Sequence, residues 1–124
     1  MEGMAAAVAQ IASLWESTAE RLKIRCHGLT DKELFWEPVP GCWNIRVDSD
    51  DMSRWTYEYE YDPPEPHPVT TIGWRLVHIA ADNWIYWEHA FGEAARNFPD
   101  LEVPHSAAAA LQDWSDSRDP SADG

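Results

Sequence analysis

Apolar residues recur at helical spacing at the start of the chain. Val8, Ile11, Trp15, Leu22 and Cys26 share one face, with Ala12 and Ala19 between them, and Glu16, Glu20, Lys23 and Arg25 fall mostly on the other. A 3.6-residue period predicts an amphipathic helix over Ala5 to Cys26, stopped by Gly28. Thr30 followed by Glu33 is a capping-box pattern and predicts a short helical turn through Phe35, ended by Pro38 and Pro40. From Gly41 to Tyr61 the period changes to two: Trp43, Ile45 and Val47 alternate with polar residues, as do Trp55, Tyr57, Tyr59 and Tyr61. Alternation with β-branched and aromatic residues predicts a hairpin, turning at Asp48 to Asp51. The proline run from Asp62 to Pro68 can only be a stiff connector.

Thr70 and Thr71 can cap a second helix running to Phe91 or Gly92. A loop with Pro99 and Pro104 follows, and Ser106 caps a third helix from Ala107 to about Trp114. The polar stretch Ser115 to Gly124 reads as a frayed tail. The expectation is one helical domain over residues 1–114, mainly α, with three helices and an extended or hairpin insertion.

On a wheel, the second helix gathers Ile72, Leu76, Ala80, Asn83, Trp84, Trp87 and Phe91 on one broad face. Arg75, His78, Asp82 and His89 gather on another, with Trp74 and Ile85 at its edge. Such a polar column is either a solvated face or a site. His78 and Asp82 stand at i and i+4, so a carboxylate can orient an imidazole there, or both can reach one ion. His89 is eleven residues on, about 16 Å along the axis, and cannot share that coordination sphere.

Composition narrows the classes. The chain has 124 residues, eight of them tryptophan, with 22 acidic against 9 basic residues and a net charge of -13. That field repels nucleic acid and anionic membrane surfaces and favours cations, divalent metals among them. No apolar run approaches the ~20 residues that span a bilayer, and the start lacks a basic leader, so a cytoplasmic protein is expected. Cys26 and Cys42 form no C-x-x-C pair and read as idle or buried thiols. Cys26 lies at a helix C-terminus, where the dipole disfavours a thiolate. Asp48-x-Asp50 lacks the remaining calcium-loop ligands, and neither a phosphate loop nor a nucleophile elbow is present.

The phrases Gly28–Leu34, Trp36–Arg46 and Thr70–Ile79, taken in order, resemble the DinB-like family. The branch in question carries W-x-P-x-P-G-x-W-[SN]-[VI]-R before T-T-I-[AG]-W-R-L-x-H-[IL]. The resemblance spans most of Gly28 to Gly92. It implies an up-down four-helix bundle with a divalent metal (zinc or nickel-like) in its pocket, and relatives that transfer or isomerise with a small thiol such as mycothiol or bacillithiol. It also implies three histidine ligands. His78 matches the one on the second helix; the other two belong to an H-x-x-x-H pair on the last helix. No histidine follows His105, so the chain reads as the first three-quarters of such a bundle.

On that basis His78 is the expected metal ligand and Asp82 its orienter or a weak ligand. Arg46, Trp43, Trp74 and Arg75 are the expected contacts to a small-molecule ligand. Arg46, following a Pro-Gly turn, offers a planar fork to a carboxylate, its ordinary alternative being an ion pair with one of the chain's own acids. A second functional class stays open: with an apolar strip uncovered, the domain would act as a non-catalytic homodimer or interaction module.

Overall fold

A computed structural model describes residues 2–119. Helix α1 spans Glu2–Arg25, starting three residues before the expected point. Gly28 follows with φ of 77°, the left-handed conformation that lets the chain leave a helix. Helix α2, Asp31–Leu34, begins with the capping box foreseen for it: Thr30 accepts from the Glu33 amide, and the Glu33 carboxylate accepts from the Thr30 amide at 3.0 Å. Strands β1, Ile45–Val47, and β2, Trp55–Tyr57, form an antiparallel hairpin that pairs Ile45 with Tyr57 and Val47 with Trp55. Helix α3 spans Ile72–Phe91 and α4 spans Ala107–Ser117, capped by Thr71 and Ser106. The fold is mainly helical, with one two-stranded hairpin between the first and second long helices.

The third long helix passes Trp114 and continues through Ser117, which is buried and donates to the Trp114 carbonyl at 2.7 Å. Arg118 then lies over the rings of Trp15 and Trp114 and meets Glu16 at 2.9 Å. The start of the stretch read as a tail is therefore anchored by a cation over two indoles. The rest of that stretch, residues 120–124, lies outside the described residues.

Helices α3 and α4 form the principal packed pair. One apolar cluster brings Leu34, Ile45, Leu76, Val77, Val103 and Ala110 together, and a second joins Ala19, Ala80 and Trp114. The buried face of α3 is Gly73, Leu76, Val77, Ala80, Ala81, Ile85 and Glu88. This corrects the wheel: Ile72 and Phe91 are exposed, and the core stripe is rotated toward Val77 and Ala81. Small residues set the rotation, because Gly73 lets the helix approach α2 so closely that a Cβ there would stand 2.9 Å from the Leu34 carbonyl.

Helix α1 departs further from expectation. Only Ala19 and Cys26 of its apolar face are buried, with Leu22 half-buried, whereas Val8, Ile11 and Trp15 face solvent. The amphipathic pattern was real, but just its C-terminal third finds a surface to cover.

Candidate functional site

The segments Gly28–Leu34, Trp36–Arg46 and Thr70–Ile79 fold against one another. Trp43 pairs with Thr70 in a parallel bridge, its amide donating to the Val69 carbonyl at 2.9 Å and its carbonyl accepting from the Thr71 amide at 3.1 Å. Asn44, only 3 % exposed, ties the junction. Its Oδ1 accepts from the Ile45 amide and the Thr71 hydroxyl, both at 2.9 Å, while its Nδ2 donates to the Phe35 carbonyl at 3.1 Å and to Glu37 at 3.2 Å. All four hydrogen-bonding positions of the amide are used, as burial demands. Thr71 in turn accepts from the Trp74 amide and so starts α3 in a fixed orientation.

That orientation places a row of rings along one side of α3. Trp74 donates its indole N–H to the Glu58 carbonyl at 2.6 Å and contacts Trp43 and Tyr57, each at a centroid distance of 6.0 Å. One turn on, the His78 ring stacks on Trp74 at 4.6 Å, with 18° between planes. Its Nε2 lies 3.3 Å from the Asp82 Oδ2, so the i, i+4 pair expected from spacing is formed. The two side chains are 35 % and 31 % exposed, which puts the pair on the rim of the aromatic row.

Electrostatics at the rim run against a simple ion pair. Burial pushes the Asp82 carboxyl above its ordinary value, and the attraction of His78 only partly offsets that rise. Beside it, burial first, then the Asp82 charge, then Tyr59, push the Tyr57 phenol up to about 12. Tyr57 thus stays protonated at any working pH and can donate a hydrogen bond but not act as a base. His78 Nδ1 is buried with no hydrogen-bonding partner, so Nε2, the edge at Asp82, is the nitrogen through which this ring can act.

The remaining expected ligand contacts are dispersed. Arg46 is exposed and already engaged: its Nε lies 2.5 Å from Glu58, and its other end reaches Glu37 at 3.2 Å and the Cys42 carbonyl at 3.3 Å. The ion-pair alternative holds, and an incoming carboxylate would have to displace two glutamates. Arg75 is exposed and donates to the Thr70 hydroxyl at 2.8 Å. Trp43 and Trp74 belong to the ring row described above. His89 is exposed on the last turn of α3, and His105 stacks on Trp55 at 4.6 Å, a partner that its proline-flanked loop did not suggest.

Sequence reasoning missed Glu58 and Asp113. Pairing Ile45 with Tyr57 brings Glu58 beside Asn44 and Arg46; a hairpin of known register would have revealed it. Asp113 lines a cavity of about 190 Å³ with Tyr57, Val77, Ala81 and Trp84, and accepts from the Trp84 indole at 3.0 Å. Burial raises its carboxyl, the Trp84 hydrogen bond lowers it, and Asp116 and Glu102 raise it again.

A carboxyl raised by folding favours the protonated state. Its stabilising contribution is complete below the unfolded value of about 3.9 and is lost as pH rises through the folded one. Asp113→Asn keeps an acceptor for Trp84 without the buried charge. The variant is expected to melt at a higher temperature than the parent near neutral pH, with the advantage vanishing below about pH 4, where the parent carboxyl is itself neutral. Thermal unfolding across pH checks it; a lower melting temperature at neutral pH refutes it.

A tetrahedral ion about 2.1 Å from both His78 Nε2 and Asp82 Oδ2, atoms 3.3 Å apart, would subtend an angle of about 104° between them. The separation is compatible with two ligands on one ion and equally with the ordinary contact of an i, i+4 His–Asp pair. Among the described residues no group of three or more His, Cys, Asp or Glu side chains is gathered for a metal, so further donors must come from elsewhere. No helix among those residues is long and apolar enough to cross a membrane. Comparisons with protein-family models, with curated proteins and with solved structures found no match to this chain.

Proposed function

We propose that this chain is a DinB-like domain in which His78 and Asp82 form half of a divalent-metal site serving a small thiol ligand, in the manner of a metal-dependent thiol transferase or isomerase. The observation that carries the reading is the separation of His78 Nε2 and Asp82 Oδ2, which suits two donors on one tetrahedral ion. The folding of the family-like phrases into one unit, with Asn44 joined to Thr71, supports it as well.

When bound, a divalent ion supplies Lewis acidity and lowers the pKa of a thiol toward neutrality. The chain's own residues do the positioning. Trp74 covers one face of the imidazole and holds it against rotation. Asp82 aligns the Nε2 edge and contributes negative charge. Tyr57 offers a phenolic proton beside that carboxylate, suited to a polar atom of a ligand seated on the aromatic row. A net charge of -13 raises the concentration of cations over the whole surface, this rim included.

Metal analysis after loading with zinc or nickel tests the proposal. The wild-type protein is expected to retain one ion per site after desalting, and His78→Ala to retain none with its helical circular dichroism unchanged. Absence of bound metal in the wild-type protein removes the reading. Asp82→Asn is expected to weaken retention by roughly 10–100-fold, the usual cost of losing a group that orients or supplements a ligand. Equal affinity in that variant would exclude Asp82 from the site.

A further inference from the structure

Helix α1 leaves a continuous apolar seam open. Met4, Val8, Ile11 and Trp15 follow one another at spacings of four, three and four, the a/d alternation of a coiled-coil heptad; the next d position is Thr18, and Leu22 resumes the a position. Downstream, the same seam meets the domain through Ala19, Leu22 and Cys26. Upstream, Met4, Val8 and Ile11 are 60–70 % exposed, and Trp15 is 44 % exposed under the Arg118 guanidinium. The helix is about 36 Å long at 1.5 Å per residue. Ala19 packs with Ala80, and Trp15 shares an open groove of about 300 Å³ with Tyr86 and Phe91 near the end of α3. The two helices therefore run in opposite directions, and the first turns of α1 extend past the last turn of α3.

Three properties of this surface single out its occupant. First, no charged side chain occurs from Gly3 to Trp15, in a chain whose net charge is -13. Two copies can meet there without confronting their acidic surfaces, and a basic partner finds nothing on the seam to pair with. Second, the heptad spacing is self-complementary. Third, the area is sufficient. Met4, Val8, Ile11, Trp15, Tyr86 and Phe91, at roughly 100 Å² of buried surface each, give about 600 Å² per copy, or about 1,200 Å² in all, the lower bound for a specific interface.

We infer that two copies of this chain associate through antiparallel pairing of their α1 helices. A parallel pair would bring both bodies to the same end, since each is attached to the C-terminal third of its helix; an antiparallel pair separates them and opposes the helix dipoles. In an antiparallel coiled coil a positions face d positions. Val8 then packs against Ile11 of the second copy, and Met4 enters the groove by the second copy's Trp15, where a thioether meets an aromatic edge. The inference is independent of the metal proposal, because His78 and Asp82 take no part in it.

Sedimentation velocity of the full chain tests it. The wild-type protein is expected to sediment at twice its 14.1 kDa. Association should tighten with added salt, since screening removes the repulsion between two acidic bodies while the seam holds no ion pair to weaken. Ile11→Glu and, separately, Val8→Glu are expected to give monomers with unchanged circular dichroism at low concentration, both positions being outside the monomer's core. A mixture of Val8→Cys and Ile11→Cys proteins is expected to yield a disulfide-linked heterodimer on mild oxidation. A wild-type monomer at submillimolar concentration overturns the inference, and so does a dimer that survives both glutamate substitutions. A dimer that loosens with salt, or fails to cross-link between positions 8 and 11, overturns the antiparallel pairing.

Discussion

Replacing Trp114 with alanine is expected to destabilise the domain by about 3–5 kcal/mol, a large share of the roughly 5–15 kcal/mol that holds an ordinary domain folded. Trp114 is the largest buried side chain of α4, packs with Ala19 and Ala80, and supports the Arg118 guanidinium that also covers Trp15. Its removal leaves a void where α1, α3 and α4 meet, with small alanines as neighbours that cannot reach into it. Urea unfolding monitored by circular dichroism measures the loss. Trp114→Phe, which keeps a ring in place, should cost less than half as much; equal losses would show that the indole's bulk is not what holds these helices together.

Asn44→Ala is the second large effect, expected at about 3 kcal/mol. The truncation strips partners from the Ile45 amide, the Thr71 hydroxyl and the Phe35 carbonyl, and an unsatisfied buried group costs about 1–3 kcal/mol. The loss should reach beyond stability. Thr71 caps α3 and sets its starting direction, so the register of Trp74 and His78 against the hairpin depends on the same amide. Asn44→Asp tests the polarity: it can still accept from Ile45 and Thr71 but cannot donate to Phe35 and would face Glu37. It is expected to be nearly as damaging as alanine. A near-neutral Asn44→Asp would show that the donor half of the amide contributes little.

Much of this architecture could be read from local signals, because those signals act locally. Thr30 with Glu33 and Ser106 with the following alanines each satisfy orphan amides within a few residues, so capping survives whatever surrounds it. The alternation around Ile45 and Trp55 similarly described a hairpin, but pairing stops at Tyr57, short of Tyr59 and Tyr61, and the hydrogen-bonded turn is Asp51–Arg54 rather than Asp48–Asp51. The wheel of α3 misled because exposure is decided by what packs against a helix. Gly73 draws α2 close and Ala80 and Ala81 admit α4, so the core stripe follows small residues rather than the bulky ones. For α1 the apolar pattern announced a covered face without naming the cover, and most of that face meets no other described element.

The candidate site was legible in proportion to sequence proximity. His78, Asp82 and Trp74 lie within nine residues on one helix, so spacing alone fixed their mutual geometry. Arg46 depended on partners from other segments. Glu37 and Glu58 reach it across the hairpin and the α2 end, and only the fold decides which of 22 acids does so. Tyr57 and Asp113 entered for the same reason: their elevated carboxyl and phenol arise from burial, which a linear sequence does not display.

The divalent ion proposed beside His78 and Asp82 has a definite position. Anomalous diffraction from zinc-loaded crystals, recorded on both sides of the zinc absorption edge, addresses it directly. The predicted result is a peak about 2.1 Å from His78 Nε2 and within ligand distance of an Asp82 oxygen, the remaining coordination filled from outside the α3 helix. A peak at other residues, or an empty rim beside His78 at saturating zinc, would contradict the account.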